Sequence, residues 1–161
     1  MNENNKKCQE IVDKLGLKPR IVTHEPILNY ETAEKVDKEL GLTGTETKTL
    51  FLKGKSGNYY LFITLASERM DSKILKNLFG EKVSLVSGDE MIEKTGMQPG
   101  CMTPFGLKEG LITSVVVDSK IDKEDKLILA FGSETMSTEM LPTDLRTILN
   151  TLYDKVLPLE N

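Results

Sequence analysis

The sequence predicts an α/β (α+β) fold, a single domain with a mixed β-sheet flanked by helices. Helical and strand patterns mix irregularly, without the strict alternation of strand and helix that builds a doubly wound sheet. The segment 58–65 is apolar on both of its alternating faces, which indicates a sheet covered on both sides. The 161 residues contain no internal repeat or linker, so we expect one domain over residues 1–161.

The amino-terminal third is predicted to hold two helices and one extended segment. Apolar periodicity indicates helices from about Glu3 to Leu15 and from Glu31 to Leu40. Arg20 to His24 is expected to be extended and to end near Pro26, because the residue before a proline avoids helical angles. Gly41 to Glu46 is predicted to be a loop.

The centre of the chain is predicted to begin with a β-hairpin. Lys48 to Lys53 and Asn58 to Leu65 have strand character, and Gly54 to Gly57 between them is typical of a hairpin turn. Asp71 is a natural N-cap for the next helix, which is expected to end at Gly80.

The carboxy-terminal half is predicted to alternate short strands and helices. Val83 to Val86 indicates a strand, and Ser87 to Glu90 fits a capping box at the start of a helix. Leu111 to Val117 and Lys126 to Phe131 indicate two strands on either side of a polar turn. A final helix is expected to begin near Pro142.

Charge and hydropathy exclude several classes of protein. A net charge of −4 argues against a broad nucleic-acid footprint, although a small contact with one RNA end is compatible with it. No apolar run approaches the roughly 20 residues that cross a bilayer, and the first ten residues are too polar for a secretory signal. We therefore expect a cytoplasmic protein without membrane or DNA partners.

The sequence offers few residues for metal or hydrolytic chemistry. Cys8 and Cys101 lie far apart, and His24 is the one histidine, so neither a zinc pattern nor a conventional catalytic triad is indicated. We expect no metal and no cofactor.

Lys48 is the most informative single residue. Strand alternation places it on the same face as Leu50 and Leu52, where an ammonium is costly unless it is paired, solvated at the strand end or reserved for an anionic ligand. The corner Gly100 to Gly106 interrupts two regular stretches downstream. Together they indicate a site for an anionic small substrate, whereas a surface lysine and an ordinary turn remain the simpler interpretation.

Seven segments of the chain carry a family resemblance in their order and spacing. They are His24-Glu25-Pro26, Lys48 to Lys53, Gly57 to Leu65, Ser87 to Met91, Pro99 to Leu107, Val115 to Asp118 and Pro142 to Leu145. In that order they resemble the prolyl-tRNA editing family, the YbaK/ProX-type aminoacyl-tRNA deacylases. The resemblance extends from about His24 to Leu149.

The resemblance implies a fold, an activity and partners. Members of this family have a mixed, partly barrel-like sheet flanked by helices and hydrolyse the ester between a wrong amino acid and the 3′ adenosine of a tRNA, typically proline tRNA. Because the domain fills this chain, a free-standing editor is implied. The implied partners are the acceptor end of aminoacyl-tRNA and a prolyl-tRNA synthetase.

The resemblance also assigns site residues. It makes Lys48 the essential catalytic lysine, which contacts the terminal phosphate or the carbonyl region as an electrostatic anchor rather than as a base. The Gly100 to Gly106 corner is implied to sort amino acids by size. The implied substrate-binding residues are Thr49, Gly100, Thr103, Pro104, Phe105, Gly106, Gly132 and Ser133, with His24 and Cys101 at the rim.

The signature of the chain is mixed, so the amino acid removed stays open. Thr49 after Lys48 resembles the branch that clears cysteine from proline tRNA, whereas Pro104-Phe105-Gly106 resembles the branch that clears alanine. Two other hypotheses also stay open. One is a catalytically silent module that binds an aminoacyl or nucleotide ligand, and the other is a hydrolase of other small activated acyl compounds.

Overall fold

The computed structural model describes residues 1–160 and confirms the mixed α/β fold. Five helices surround an eight-stranded sheet within that range. The helices are α1 (Glu3–Lys14), α2 (Tyr30–Leu40), α3 (Ser72–Phe79), α4 (Gly88–Thr95) and α5 (Pro142–Leu152). The strands are β1 (Arg20–Thr23), β2 (Thr45–Gly54), β3 (Tyr59–Leu65), β4 (Val83–Leu85), β5 (Ile112–Asp118), β6 (Leu127–Ser133), β7 (Met136–Met140) and β8 (Val156–Leu159).

The sheet runs in the order β1-β7-β6-β2-β3-β5-β8, with β4 added beside β2. The β2–β3, β2–β4, β6–β7 and β1–β7 pairs are antiparallel, whereas β2–β6, β3–β5 and β5–β8 are parallel. The predicted β2–β3 hairpin is confirmed, and Lys48 lies opposite Thr64 in its register. The mixture of directions explains why the chain shows no regular strand–helix alternation.

The sheet is covered on both faces, as the two apolar faces of β3 predict. Leu61 and Ile63 of β3 join the larger core, which α1, α4 and α5 help to close, while Tyr60 and Phe62 face a smaller core under α3. Alternate β3 side chains point to opposite faces of the sheet. Because each face is covered by one of these cores, both sets are buried.

The predicted helix signals are confirmed, with one difference. Asp71 caps α3, and the hydroxyl of Ser87 accepts the N–H of Glu90 at the start of α4. The second half of the predicted capping box does not form, because the Glu90 carboxylate instead accepts bonds from Lys53 Nζ (3.0 Å) and the Tyr59 hydroxyl. Glu90 therefore ties α4 to the hairpin.

One strand boundary and two whole strands differ from the sequence-based expectations. The predicted loop Gly41 to Glu46 already enters β2 at Thr45, where pairing with β6 begins. Strand β7 (Met136–Met140) was not predicted because three of its five residues are polar. All five are nevertheless buried. Strand β8 (Val156–Leu159) was also missed because it contains Pro158. The polar turn after β5 contains a 3₁₀ helix, Ser119–Lys123.

Candidate active site

A gap in the sheet beside β2 opens onto a cavity. Strand β3 covers one edge of β2 from Thr47 to Lys53. On the other edge, β6 pairs only with Thr45 and Glu46, and β4 pairs only from Leu52 onward. A cavity of about 370 Å³ lies against the interval between them, and residues 46–51 of β2 form one of its walls.

The backbone N–H and C=O groups of the odd-numbered β2 residues point to the edge where this gap lies. Thr45 donates its N–H to Lys126 O at 2.9 Å, and Phe51 accepts a bond from Val86 N at 3.0 Å, both on the gap edge. Since the N–H and C=O of alternate strand residues point to the same edge, Thr49 directs its backbone polar groups there. The gap thus offers main-chain hydrogen-bonding groups as well as side chains.

Lys48 is held at this cavity by a main-chain carbonyl. Its ammonium is half-buried and donates a short hydrogen bond to Glu68 O in the loop after β3. Burial lowers the pKa of Lys48, the Glu68 carboxylate opposes that shift, and Arg69 nearby adds to it. The ammonium is partly desolvated, so it attracts an anionic or polar ligand group more strongly than a surface lysine would.

A polar chain fixes the loop that holds Lys48. The Glu68 carboxylate accepts a bond from Lys120 Nζ at 2.6 Å. The backbone N–H of Lys120 donates to Asp118 Oδ1 at 3.0 Å, and Asp118 Oδ2 accepts the hydroxyl of Thr64 at 2.8 Å. Thr64 pairs with Lys48 between β2 and β3, so this series of polar contacts links the loop back to the strand pair that carries Lys48.

Glu46 is a cavity residue that the sequence analysis missed, because it was assigned to a loop. It lines the cavity two positions before Lys48 on the same strand. Burial and the nearby Asp37 raise the pKa of Glu46 to about 8. Extending the alternation of Lys48, Leu50 and Leu52 back by two residues would have identified it.

Six of the residues singled out by the sequence line the cavity. They are His24, Lys48, Thr49, Gly100, Cys101 and Ser133. That these side chains contact a substrate stays a prediction. Lys48 and Thr49 come from the open part of β2, and the other four come from segments that face it across the cavity.

The two rim residues are constrained in ways that limit their chemistry. The His24 ring is bonded through Nδ1 to Glu25 O (2.7 Å) and through Nε2 to Ser137 Oγ (2.8 Å), so both nitrogens have partners. Burial and then Glu134 raise the pKa of the Cys101 thiol to about 11, and its Sγ lies 3.3 Å from Ile27 O. The thiol form predominates at neutral pH, so Cys101 is a poor nucleophile.

The predicted corner divides into a lining part and a supporting part. Gly100, Cys101 and Met102 line the cavity, but Thr103, Pro104, Phe105 and Gly106 do not, and neither does Gly132. Of the Gly100 to Gly106 corner, the first three residues line this cavity, and the substrate-binding role of the whole corner stays a prediction.

Thr103, Pro104, Phe105 and Gly132 are buried outside the cavity lining, and Gly106 is half-buried. Phe105 is fully buried and packs edge-on against Phe131, with ring centroids 6.0 Å apart. A Cβ on Gly106 (φ +80°) would lie 2.7 Å from Cys8 Sγ, and one on Gly132 (φ +95°) would lie 2.7 Å from Asn4 C. Gly106 thus lets α1 approach the corner closely, and Gly132 lets it approach β6.

Two further findings concern residues 1–160 as a whole. In this range no group of three or more His, Cys, Asp and Glu side chains is arranged to hold a metal ion. None of the helices there has the length and apolarity needed to cross a membrane.

The protein is thus an α/β domain whose mixed sheet opens beside one strand, with a partly buried lysine at a cavity of small-ligand size. The model of the aminoacyl-tRNA editing domain matches residues 28–148, which contain Lys48 and nearly the whole cavity lining. The chain therefore belongs to the aminoacyl-tRNA editing domain family.

Curated relatives agree with that membership. The uncharacterized protein YwhH of Bacillus subtilis is 26% identical over 71% of this chain and 72% of its own length. The prolyl-tRNA editing protein ProX of Acetoanaerobium sticklandii is 29% identical over 60% of this chain and 58% of its own. A proline–tRNA ligase of Trichlorobacter lovleyi is 30% identical over 62% of this chain, but the match covers only 17% of that enzyme.

Solved structures share the fold at low sequence identity. The hypothetical protein APE2540 superposes with a TM-score of 0.79 at 24% identity, over 94% of this chain and 97% of its own. A candidate trans-editing enzyme for prolyl tRNA synthetase gives 0.77 at 20% identity, over 96% and 97%. At these identities the likeness is one of fold.

Proposed function

We propose that this protein is a trans-editing aminoacyl-tRNA deacylase that hydrolyses the ester of mischarged tRNA. The substrate that we favour is proline tRNA carrying alanine, cysteine or another small amino acid, since the ProX and ligase relatives are named for prolyl-tRNA. The observation that carries the proposal is the position of Lys48, a partly desolvated ammonium at the opening of a cavity in an editing-domain fold.

The chemistry asks little of the side chains. An aminoacyl ester is already activated, so the enzyme mainly positions it, stabilises the developing oxyanion and admits a water molecule or a ribose hydroxyl. Lys48 supplies positive charge for the terminal phosphate or the carbonyl oxygen. The backbone of Thr49 at the open edge of β2 supplies polar groups close to the same place.

The cavity is the sieve in this proposal. Gly100 and Cys101 line it without a large side chain, while Met91, Met102 and Met136 add flexible apolar surface. One methylene changes affinity in such a pocket by only about 1–3 kcal/mol, so small amino acids are separated by modest factors. Residues 1–161 act as one domain, and we place the activity in the cytoplasm, where charged tRNA is used.

A catalytically silent binding module is the second candidate, and one observation favours it. The single imidazole at the cavity has both ring nitrogens bonded, and the Cys101 thiol is held in its neutral form, so neither supplies an obvious base. Such a module would bind aminoacyl-adenosine analogues without turnover.

Hydrolysis of a charged-tRNA panel tests the proposal. Proline tRNA is charged with alanine, cysteine, serine or proline, and deacylation by the wild-type protein is followed against the spontaneous rate. We expect accelerated loss of at least one mischarged amino acid while prolyl-tRNA is spared. Spontaneous rates throughout, together with binding of aminoacyl-adenosine analogues, would replace the deacylase with the silent module.

A further inference from the structure

Glu46 and Lys48 place an acidic and a basic side chain on one face of β2. Residues two apart in a strand share a face, with Cα atoms about 6.6 Å apart, and both side chains line the cavity. The aminoacyl ester at a tRNA end carries an ammonium two bonds from its carbonyl carbon, and the terminal phosphate lies further away, beyond the ribose. The two side chains therefore match the polarity of this substrate end to end.

The Glu46 carboxyl lacks a protein partner within residues 1–160. No donor or cation there binds it, whereas the buried Glu139 accepts the N–H groups of Thr43 and Gly44 at 2.9 Å each and lies 3.7 Å from Lys126 Nζ. A half-buried carboxyl without a donor is costly. A ligand that brings a donor would remove that cost.

We propose that Glu46 binds the α-ammonium of the aminoacyl group, so that the site requires a substrate with a free α-amine. This inference rests on the proposed function and adds a specificity-determining residue to it. Glu134 is the other carboxylate in the cavity lining, but it lies in the β6–β7 turn and acts on Cys101 rather than sharing a strand face with Lys48.

Proton release accompanies this contact. The groups that act on Glu46 come from α2 and its neighbours. Asp37 of α2 acts on Glu46, and Glu46 acts on Tyr30 of the same helix. Glu139 of β7, paired with Lys126, and Glu34 act on Asp37. Because burial and then the Asp37 carboxylate disfavour the anion, the pKa of about 8 keeps a proton on Glu46 at pH 7 in the free site, and an incoming ammonium displaces it.

Calorimetry with non-hydrolysable ligands tests the inference. The probes are the alanyl and cysteinyl amides of 3′-amino-3′-deoxyadenosine, each with a free and with an N-acetylated α-amine. We expect wild type to bind the free amine at least about tenfold more tightly than the acetylated form and to release a proton, measured in two buffers of different ionisation enthalpy. In Glu46→Gln both the preference and the proton release disappear.

Matched variants separate this result from general effects. Glu39→Gln, an exposed position on α2, and Glu134→Gln keep both the preference and the proton release. Thermal unfolding of Glu46→Gln at pH 7 verifies that the variant is folded.

The outcomes separate the inference from the proposed function. If wild type cleaves mischarged tRNA and Glu46→Gln keeps the amine preference, or if Glu134→Gln loses it instead, the inference is overturned while the deacylase stands. If wild type binds none of the probes and cleaves no charged tRNA, the proposed function fails and the inference fails with it.

Discussion

Two ionisable side chains on β2, Glu46 and Lys48, lie where burial favours their neutral forms. The pKa of Lys48 is lowered chiefly by burial, and that of Glu46 is raised to about 8 by burial and Asp37. Each pKa shift reflects an ionisable group that is partly removed from water without interactions that fully offset the cost of its charged form. Perturbed groups of this kind cluster at functional sites, and here both line the same cavity.

The raised pKa of Glu46 predicts a pH dependence of stability. The folded state keeps the proton to about pH 8, whereas an ordinary glutamate releases it near 4.5, so the folded state binds more protons between those values. The free energy of unfolding of the wild type should therefore fall from about pH 5 to pH 8. Glu46→Gln should lose most of this slope in urea titrations at pH 5, 7 and 9.

Asp37 adds to the slope only at the acidic end, because its pKa is raised to about 6 by burial, Glu139 and Glu34. The control Glu39→Gln should follow the wild-type curve. Parallel curves for wild type and Glu46→Gln would contradict the assignment.

Thr103 and Thr64 form a matched pair of buried hydroxyls. Both side chains are inaccessible to solvent, but Thr103 Oγ1 has no hydrogen-bond partner within the described chain, while Thr64 Oγ1 donates to Asp118. Thr103→Val should be neutral or stabilising, and Thr64→Val should lower the free energy of unfolding by about 1–3 kcal/mol. Denaturant titrations measure both.

Deacylation assays on the same variants address the site. If Thr103 only supports the wall, Thr103→Val keeps its activity. A large loss of activity in a stable Thr103→Val protein would instead indicate that the Thr103 hydroxyl contacts the substrate.

At the scale of elements, the ion pair between the β3–α3 loop and the 3₁₀ helix positions Lys48. Lys120→Met should loosen the loop whose Glu68 carbonyl holds the ammonium. Since the pair is partly exposed, its effect is modest, and we expect kcat to fall by a factor on the order of five with KM little changed. Lys123→Met, in the same 3₁₀ helix, is the control. An equal loss in both variants would indicate a general effect of the helix.

The elements that the sequence failed to predict share a physical cause. The middle of β7 is polar yet buried because tertiary bonds satisfy it. Thr138 donates to Arg20 O, and Glu139 accepts from the backbone of residues 43 and 44. In β8, Pro158 is tolerated because the strand lies at the edge of the sheet. Neither circumstance is visible in local periodicity, whereas caps and turns such as Asp71 and Gly80 are local and were predicted.

For the whole molecule, the acidic charge predicts a small electrostatic footprint on RNA. With a net charge of −4, few phosphates are contacted, and Lys48 is the one lysine in the cavity lining. The slope of log K against log[salt] for charged tRNA should therefore be shallow, with a magnitude of about 1 to 2. Filter binding between 50 and 200 mM salt measures it, and a magnitude above about 5 would reveal a basic surface outside the cavity.

The site could be predicted from the sequence only in part. Lys48 could be predicted because an ammonium on an apolar strand face is unusual, and the family resemblance pointed to the same residue. The gap that exposes β2 depends on where two other strands stop pairing, at Glu46 and Leu52. Such long-range register cannot be read locally, so Glu46 was missed, and the burial of Phe105 away from the cavity lining could not be predicted.

The central claim is that the Lys48 ammonium acts on the ester at the cavity mouth. Single-turnover deacylation of the preferred mischarged proline tRNA tests it most directly, with wild type, Lys48→Ala and Lys55→Ala, an exposed hairpin lysine, compared at equal folded fraction. We predict that Lys48→Ala lowers the rate by at least about 100-fold while Lys55→Ala matches wild type. Equal rates for wild type and Lys48→Ala would contradict the account.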